Sequence, residues 1–340
     1  MSRSIRAVRV AIALAAMLAA TLPAIAEQTT ADPGYTRAIA ADADQLRHAR
    51  VNGVRLAYRL EGAGTPVIFV HGEGYSHELW GQQLDAFSRD YLFVSYDRRG
   101  HGQSEDPLTG YSETAHANDL EGLIRHLGID DAHFVVNSRG GAIIIRFLKL
   151  YPQRVRSITF ADATIPLSPI TEESAFHGAV TALHGPAPTL EQVIAGRDRA
   201  KTSRFTRIAQ SRDDVRPVLH RMVDAYSPRV SANPQRSDMA SATHIGPWNS
   251  RDFPDMATMA QPILLIVAEH GDPFFIAGAQ EAHRLWPNTR YHLMGDVDHL
   301  LMLEAPEDFN QRVGAFIREV DEQIAGRARW TEVKRGGDYD

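Results

Sequence analysis

The residues best suited to chemistry are a hydroxyl, an imidazole and a carboxylate, far apart in the chain and each placed just after an apolar β-type run. The hydroxyl is Ser138. Phe134-Val135-Val136 leads into Asn137-Ser138-Arg139, and Gly140-Gly141 then opens the apolar run AIIIRFLKLY. A strand, a sharp turn and a helix predict a serine held in sparsely populated φ/ψ, with its Oγ at the mouth of a sheet above a helix N-terminus. Gly140 removes a Cβ that would collide with such a turn. Two residues before the serine the turn ordinarily takes glycine, and this chain has Val136, which makes it a variant. The alternative role for Ser138 is that of a helix N-cap.

A hydroxyl nucleophile needs a base to take its proton, and the base needs an acid to fix its tautomer. His299 is the expected base, after the β-type run 289–293 and the loop from Met294 to Asp298. Asp272 is the expected acid, in the segment Ala268-Glu269-His270-Gly271-Asp272-Pro273 that follows the run 262–267. Other acids stand within reach: Glu269 in the same loop, Asp162 after the run 155–160, and Asp296 or Asp298 next to His299. His270 is the competing imidazole. Parallel sheets bind ligands outside the carboxyl ends of their strands, so the order Ser138, Asp272, His299 draws all three groups from one sheet edge.

After the run 65–70 comes His71-Gly72-Glu73-Gly74. Its glycines let the backbone fold tightly over a sheet, so the backbone N–H groups of Glu73 and Arg139 are the expected oxyanion donors. The Arg139 side chain has two readings. It binds a polar group of the substrate, or it pairs with an acid of the lid, which is the preferred reading. Tyr75, Trp80 and Trp248 are candidate substrate-lining aromatics, with core packing or lid contact as the alternative.

The elements that must position these residues follow from pattern. Asn52-Gly53 between two β-rich runs predicts a hairpin. Short apolar strands at 65–70, 91–96, 133–136 and 155–160 alternate with helices at 78–88, 112–127 and 141–151. The alternation resumes with strands at 262–267 and 289–293 and helices near 277–285 and 306–320. This predicts an α/β fold with a mostly parallel central sheet flanked by helices. Between the two stretches, residues 164–260 carry helical segments but no buried strand, which reads as a helical cap inserted between two sheet strands. The core is then 45–163 and 261–325, followed by a polar tail at 326–340.

The first residues read differently. Arg3, Arg6 and Arg9 precede an apolar, alanine-rich run from Val10 to Leu22, and Ala24-Ile25-Ala26 precedes Glu27. That is the pattern of a Sec-type signal peptide over 1–26, with a flexible segment at 27–44, and it predicts a secreted or periplasmic bacterial protein with no integral membrane segment after cleavage. The net charge is −6 and becomes −9 without those three arginines, which argues against nucleic acid as a partner. With no cysteine, thiol nucleophiles and thiolate metal sites are excluded. No metal-ligand spacing is present, and no cofactor is expected. Oligomeric state is not encoded in any pattern we recognise.

Taken together, FVHGEG at 69–74, YDRRGHGQS at 96–104, NSRGG at 137–141 and DHLLMLEAPEDF at 298–309 resemble the α/β-hydrolase superfamily, in its lidded serine-hydrolase branch. The resemblance spans residues 45–320, with 164–260 similar only in position and helical character. It implies Ser138 as nucleophile, His299 as base and Asp272 as acid, with Asp97 and His101 structural. The chain departs from the family pattern at Val136 and in one extra residue between Ala268 and Asp272. A serine also excludes the carboxylate-nucleophile chemistry of dehalogenases and epoxide hydrolases of this fold. The expected activity is hydrolysis of a small acyl substrate, a carboxylic ester or lactone. The alternatives are an amidase or aminopeptidase (with Glu172, Glu173 or Glu191 holding an ammonium group), a C–C bond hydrolase, or a non-catalytic ligand-binding member of the fold.

Overall fold

Asn52 and Gly53 adopt φ of 48° and 76°, the left-handed pair that a tight hairpin demands. They join β1 (Arg47–Val51) to β2 (Val54–Gly62), with Val51 opposite Val54. A computed structural model describes the protein over residues 46–165, 215–224 and 260–335. The expected signal peptide, the segment 27–44, most of the expected cap with Trp248, Glu172, Glu173 and Glu191, and the last five residues lie outside the described residues.

Six further strands complete one sheet: β3 (Pro66–Val70), β4 (Leu92–Tyr96), β5 (Ala132–Ser138), β6 (Val155–Ala163), β7 (Ile263–Ala268) and β8 (Thr289–Met294). Their order is β1-β2-β4-β3-β5-β6-β7-β8. β1 pairs antiparallel with β2 and β2 with β4; every other pairing is parallel. The chain leaves β3 toward one side of the sheet to form β4 and returns to the other side as β5. The loops after β3 and β5 therefore meet at a switch point, where an open α/β sheet leaves room for a ligand.

Side chains alternate between two buried layers. Ile68, Val70, Phe134 and Val136 point into one, with Leu120 and Leu123 of α2 (Glu113–His126) and Ile144 and Phe147 of α3 (Gly140–Leu150). Val67, Phe69 and Val135 point into the other, with Leu84 and Phe87 of α1 (Gly81–Phe87), preceded by a 3-10 turn at His77–Trp80. Each such aliphatic or aromatic side chain contributes about 1.5–3 kcal/mol by leaving water, which is why the strands read as continuous apolar runs.

In the interval expected to be a cap, the described helix is α4 (Arg216–Asp224). Val218, Leu219 and Met222 are buried in the same layer as Leu79 and Trp80, and Arg221 donates to Glu78 at 3.1 and 3.0 Å. α5 (Pro273–Leu285) starts earlier than its apolar spacing suggests because Asp272 caps it and Pro273 occupies the first turn. After the short α6 (Leu301–Glu304), α7 (Pro306–Arg335) runs past residue 320, where the apolar pattern fades. Among the described residues no helix is long and apolar enough to cross a membrane.

Candidate active site

Ser138 ends β5 with φ of 51°, a left-handed backbone that costs a non-glycine residue about 1–3 kcal/mol and persists only where its surroundings enforce it. The enforcement is visible. Its carbonyl accepts from the Thr164 N–H at 2.8 Å. A Cβ on Gly72 would lie 2.6 Å from the Ser138 Cβ, and one on Gly140 would lie 2.7 Å from the Val70 carbonyl oxygen. Strand, turn and helix thus approach as closely as glycine permits. Val136 is fully buried and would stand at ordinary contact distance, 3.4 Å, from a Gly140 Cβ, so it is the Val70 carbonyl that demands glycine there.

His299 approaches from the loop after β8. Its carbonyl accepts from Asn137 Nδ2 at 3.5 Å, which ties its backbone to the residue preceding Ser138. Asn137 Nδ2 also donates to the Ala161 carbonyl at 2.9 Å, so one amide links β5, β6 and the histidine loop. The imidazole stacks on Phe275 at 4.8 Å and 14°, and the Tyr75 ring centre is 6.5 Å away. Tyr75 lies against Gly72 and is itself buried, so it borders both Ser138 and His299.

The carboxylate holding His299 is that of Asp162, not Asp272. Asp162 Oδ2 is 2.6 Å from His299 Nδ1, and its Oδ1 accepts from the Ala268 N–H at 3.2 Å. Asp162 is fully buried near the end of β6 with φ of 43°. Burial pushes its carboxyl above the usual carboxylate range, and the hydrogen bond from His299 works against that shift. Asp272 instead accepts from the Phe274 N–H at 2.8 Å as the N-cap of α5. The physical reason is local. The Asp-Pro pair is a helix start, and the extra residue in its loop belongs to that cap. The other candidates are also placed. Asp298 accepts from the His299 backbone N–H at 2.7 Å, Glu269 accepts from the Asp296 N–H at 2.8 Å, and exposed His270 pairs with Asp296 at 3.3 Å.

Beside the serine lies a buried polar layer that fixes the loop after β3. The backbone N–H of Arg98 donates to His71 Nε2 at 3.0 Å, so His71 carries its proton on Nδ1, which lies 2.8 Å from the Gly72 carbonyl. His101 is arranged alike, with Nδ1 2.9 Å from the Arg99 carbonyl and Nε2 3.2 Å from Arg98 Nη2. Both imidazoles are neutral. Burial and then Arg98 hold His71 well below the ordinary histidine range, and the same causes bring His101 down to about 3. Asp97 accepts from the His77 backbone N–H at 2.7 Å and lies 2.8 Å from its Nδ1. Burial alone would raise Asp97, and His77 brings it below its usual value. Asp97 and His101 are both fully buried and bonded to backbone.

Among the described residues Arg139 pairs with two acids of the core, Glu113 of α2 at 2.9 Å and Glu73 at 3.5 Å; the lid acids expected to hold it lie outside the described residues. Trp80 follows its alternative reading, core packing: it is fully buried in the sheet layer, 5.2 Å from Phe69. Sequence reasoning missed Asn137, Phe275, Glu113 and Arg98. Asn137 was marked only by adjacency to the serine and Arg98 only by its place in the YDRRGHGQS segment, and no signal marked the others. Among the described residues no cluster of histidines and acids is arranged to hold a metal ion.

Comparison with known proteins agrees with this architecture. Residues 65–306 match the family model described as the alpha/beta hydrolase fold. A 2-(acetamidomethylene)succinate hydrolase from Mesorhizobium japonicum is 26% identical, the match covering 82% of this chain and 97% of that one. A solved enzyme that degrades N-acyl homoserine lactones is 27% identical, with a TM-score of 0.55 over 79% of this chain and 100% of that one. A thermophilic esterase from Thermogutta terrifontis shares the fold at 21% identity, with a TM-score of 0.61 over 81% of this chain and 99% of that one.

Proposed function

The chain belongs to the alpha/beta-hydrolase family, and from that premise we propose that it is a serine hydrolase of carboxylic esters or lactones. One observation carries the reading: a serine in enforced left-handed backbone shares a sheet edge with an imidazole whose Nδ1 is held by a buried carboxylate. In this reading His299 Nε2 takes the proton of Ser138 Oγ as that oxygen attacks the substrate carbonyl. The resulting oxyanion lies between the backbone N–H groups of Glu73 and Arg139. Collapse expels the alcohol, which takes the proton from His299, and leaves an acyl ester on Ser138. Water then repeats the sequence, giving its proton to the same imidazole and releasing the acid.

Asp162 is the third member. It orients the imidazole and stabilises its protonated form without itself taking the proton. Some solved relatives of the fold are epoxide hydrolases, and the serine speaks against their carboxylate-nucleophile route. Ester or lactone is favoured over amide by the likeness to the lactone-degrading enzyme. Secretion or export to a bacterial periplasm is part of the proposal and is supported by residues 1–26. The test is turnover of p-nitrophenyl esters of graded acyl length, a lactone series and a peptide amide by the wild type and Ser138→Ala. Ester or lactone turnover that vanishes in the variant supports the reading. Full turnover by Ser138→Ala contradicts it.

A further inference from the structure

Glu73 and Arg139 carry the two backbone N–H groups assigned to the oxyanion, and their side chains meet. Arg139 Nε is 3.5 Å from Glu73 Oε2. Each has a second partner. Arg98 Nη2 is 3.4 Å from the same Glu73 oxygen and donates to the Gly72 carbonyl at 2.7 Å. Arg139 Nη2 donates to Glu113 Oε1 at 2.9 Å. The series Arg98, Glu73, Arg139, Glu113 alternates in sign and runs from the end of β4, across the loop after β3 and the nucleophile turn, to the first turn of α2. None of these four side chains is more than 16% exposed. Arg139 and Glu73 meet as an ion pair without a hydrogen bond, while Arg139 to Glu113 is a charge-assisted hydrogen bond, and contacts between charges shielded from solvent hold their geometry.

The backbone on either side is fixed by different elements. Glu73 follows Gly72, which is pressed against Ser138, whereas Arg139 begins α3. Nothing in the sheet ladder fixes the separation of these two amides, because β3 ends at Val70 and β5 at Ser138. The side-chain series is a direct link between them. We propose that the Arg98–Glu73–Arg139–Glu113 series is a strap that sets the spacing of the two oxyanion donors, so that Glu73 and Arg139 are positioning residues through their side chains. The inference rests on the acyl-transfer reading above. An oxyanion donor acts over a narrow range, and a shift of about 1 Å is enough to cost up to roughly 100-fold in rate.

The experiment measures kcat and KM for p-nitrophenyl acetate, with thermal midpoints, in the wild type, Glu73→Gln, Arg139→Lys and the double variant. Glutamine keeps the shape of Glu73 without its charge, and lysine keeps the charge of Arg139 without its fork. The expected result is a kcat loss of roughly 10- to 100-fold in each single variant, with KM within about twofold. The double variant should fall no further than the worse single one, because both act through one link. Glu73→Asp, which keeps the charge on a shorter stem, decides by the same criteria if Glu73→Gln does not fold. Folded single variants with wild-type kcat, or losses that multiply in the double variant, would overturn the strap. A wild type with no esterase activity would overturn the acyl-transfer reading, a result distinct from an active wild type with unaffected variants.

Discussion

Asp162 Oδ2 lies 2.6 Å from His299 Nδ1, although 137 positions separate the two residues in the chain. In the proposed mechanism that contact makes Asp162, near the end of β6, the acid, while Asp272 caps the start of α5. Asp162→Asn should therefore lower kcat by roughly 10³- to 10⁴-fold, because an amide no longer enforces the Nδ1–H tautomer. Steady-state kinetics on any turned-over ester checks this. Equal losses in Asp162→Asn and Asp272→Asn would contradict the assignment.

Asp272→Ala should act on stability instead. Removing an N-cap carboxylate costs about 0.5–2 kcal/mol, and kcat should stay within about threefold of wild type. Chemical denaturation combined with the same kinetic assay separates the two effects.

Gly72 brings the loop after β3 close against Ser138. A Cβ there would stand 2.6 Å from the Ser138 Cβ and 3.0 Å from Asn137 Oδ1. Gly72→Ala should displace Ser138 and reduce kcat by about 100-fold. Wild-type kcat in this variant would show that the turn yields freely.

Much of this was legible in the chain before any coordinates. The strands announced themselves because strands buried on both faces are continuous apolar runs, and Asn52-Gly53 fixed the first hairpin. Ser138 and His299 stood out because each follows such a run. The acid did not. Asp162 and Asp272 both follow apolar runs, and what separates them is a contact between Asp162 and an imidazole 137 positions away, a property no spacing records. Trp80 carried two readings for a related reason: an indole looks the same in sequence whether it faces a pocket or packs on Phe69.

The buried imidazoles predict acid sensitivity. His71, His101 and His116 are all held below their ordinary range, first by burial and then by Arg98. A histidine whose folded value is depressed takes up its proton on unfolding once the pH falls below its unfolded value. Stability should therefore be full above about pH 6.5 and decline below it, with up to about 1.4 kcal/mol lost per pH unit for each histidine. Urea unfolding at pH 7.0, 6.0 and 5.5 reads this slope. A flat profile across that window would contradict the neutral, buried assignment.

The most direct test of the account is covalent. The wild type is treated with a fluorophosphonate, digested, and the modified residue mapped by mass spectrometry. The account predicts a single phosphonyl adduct on Ser138 that forms far more slowly in His299→Ala. An adduct confined to another serine, or none at all in an intact folded protein, would contradict it.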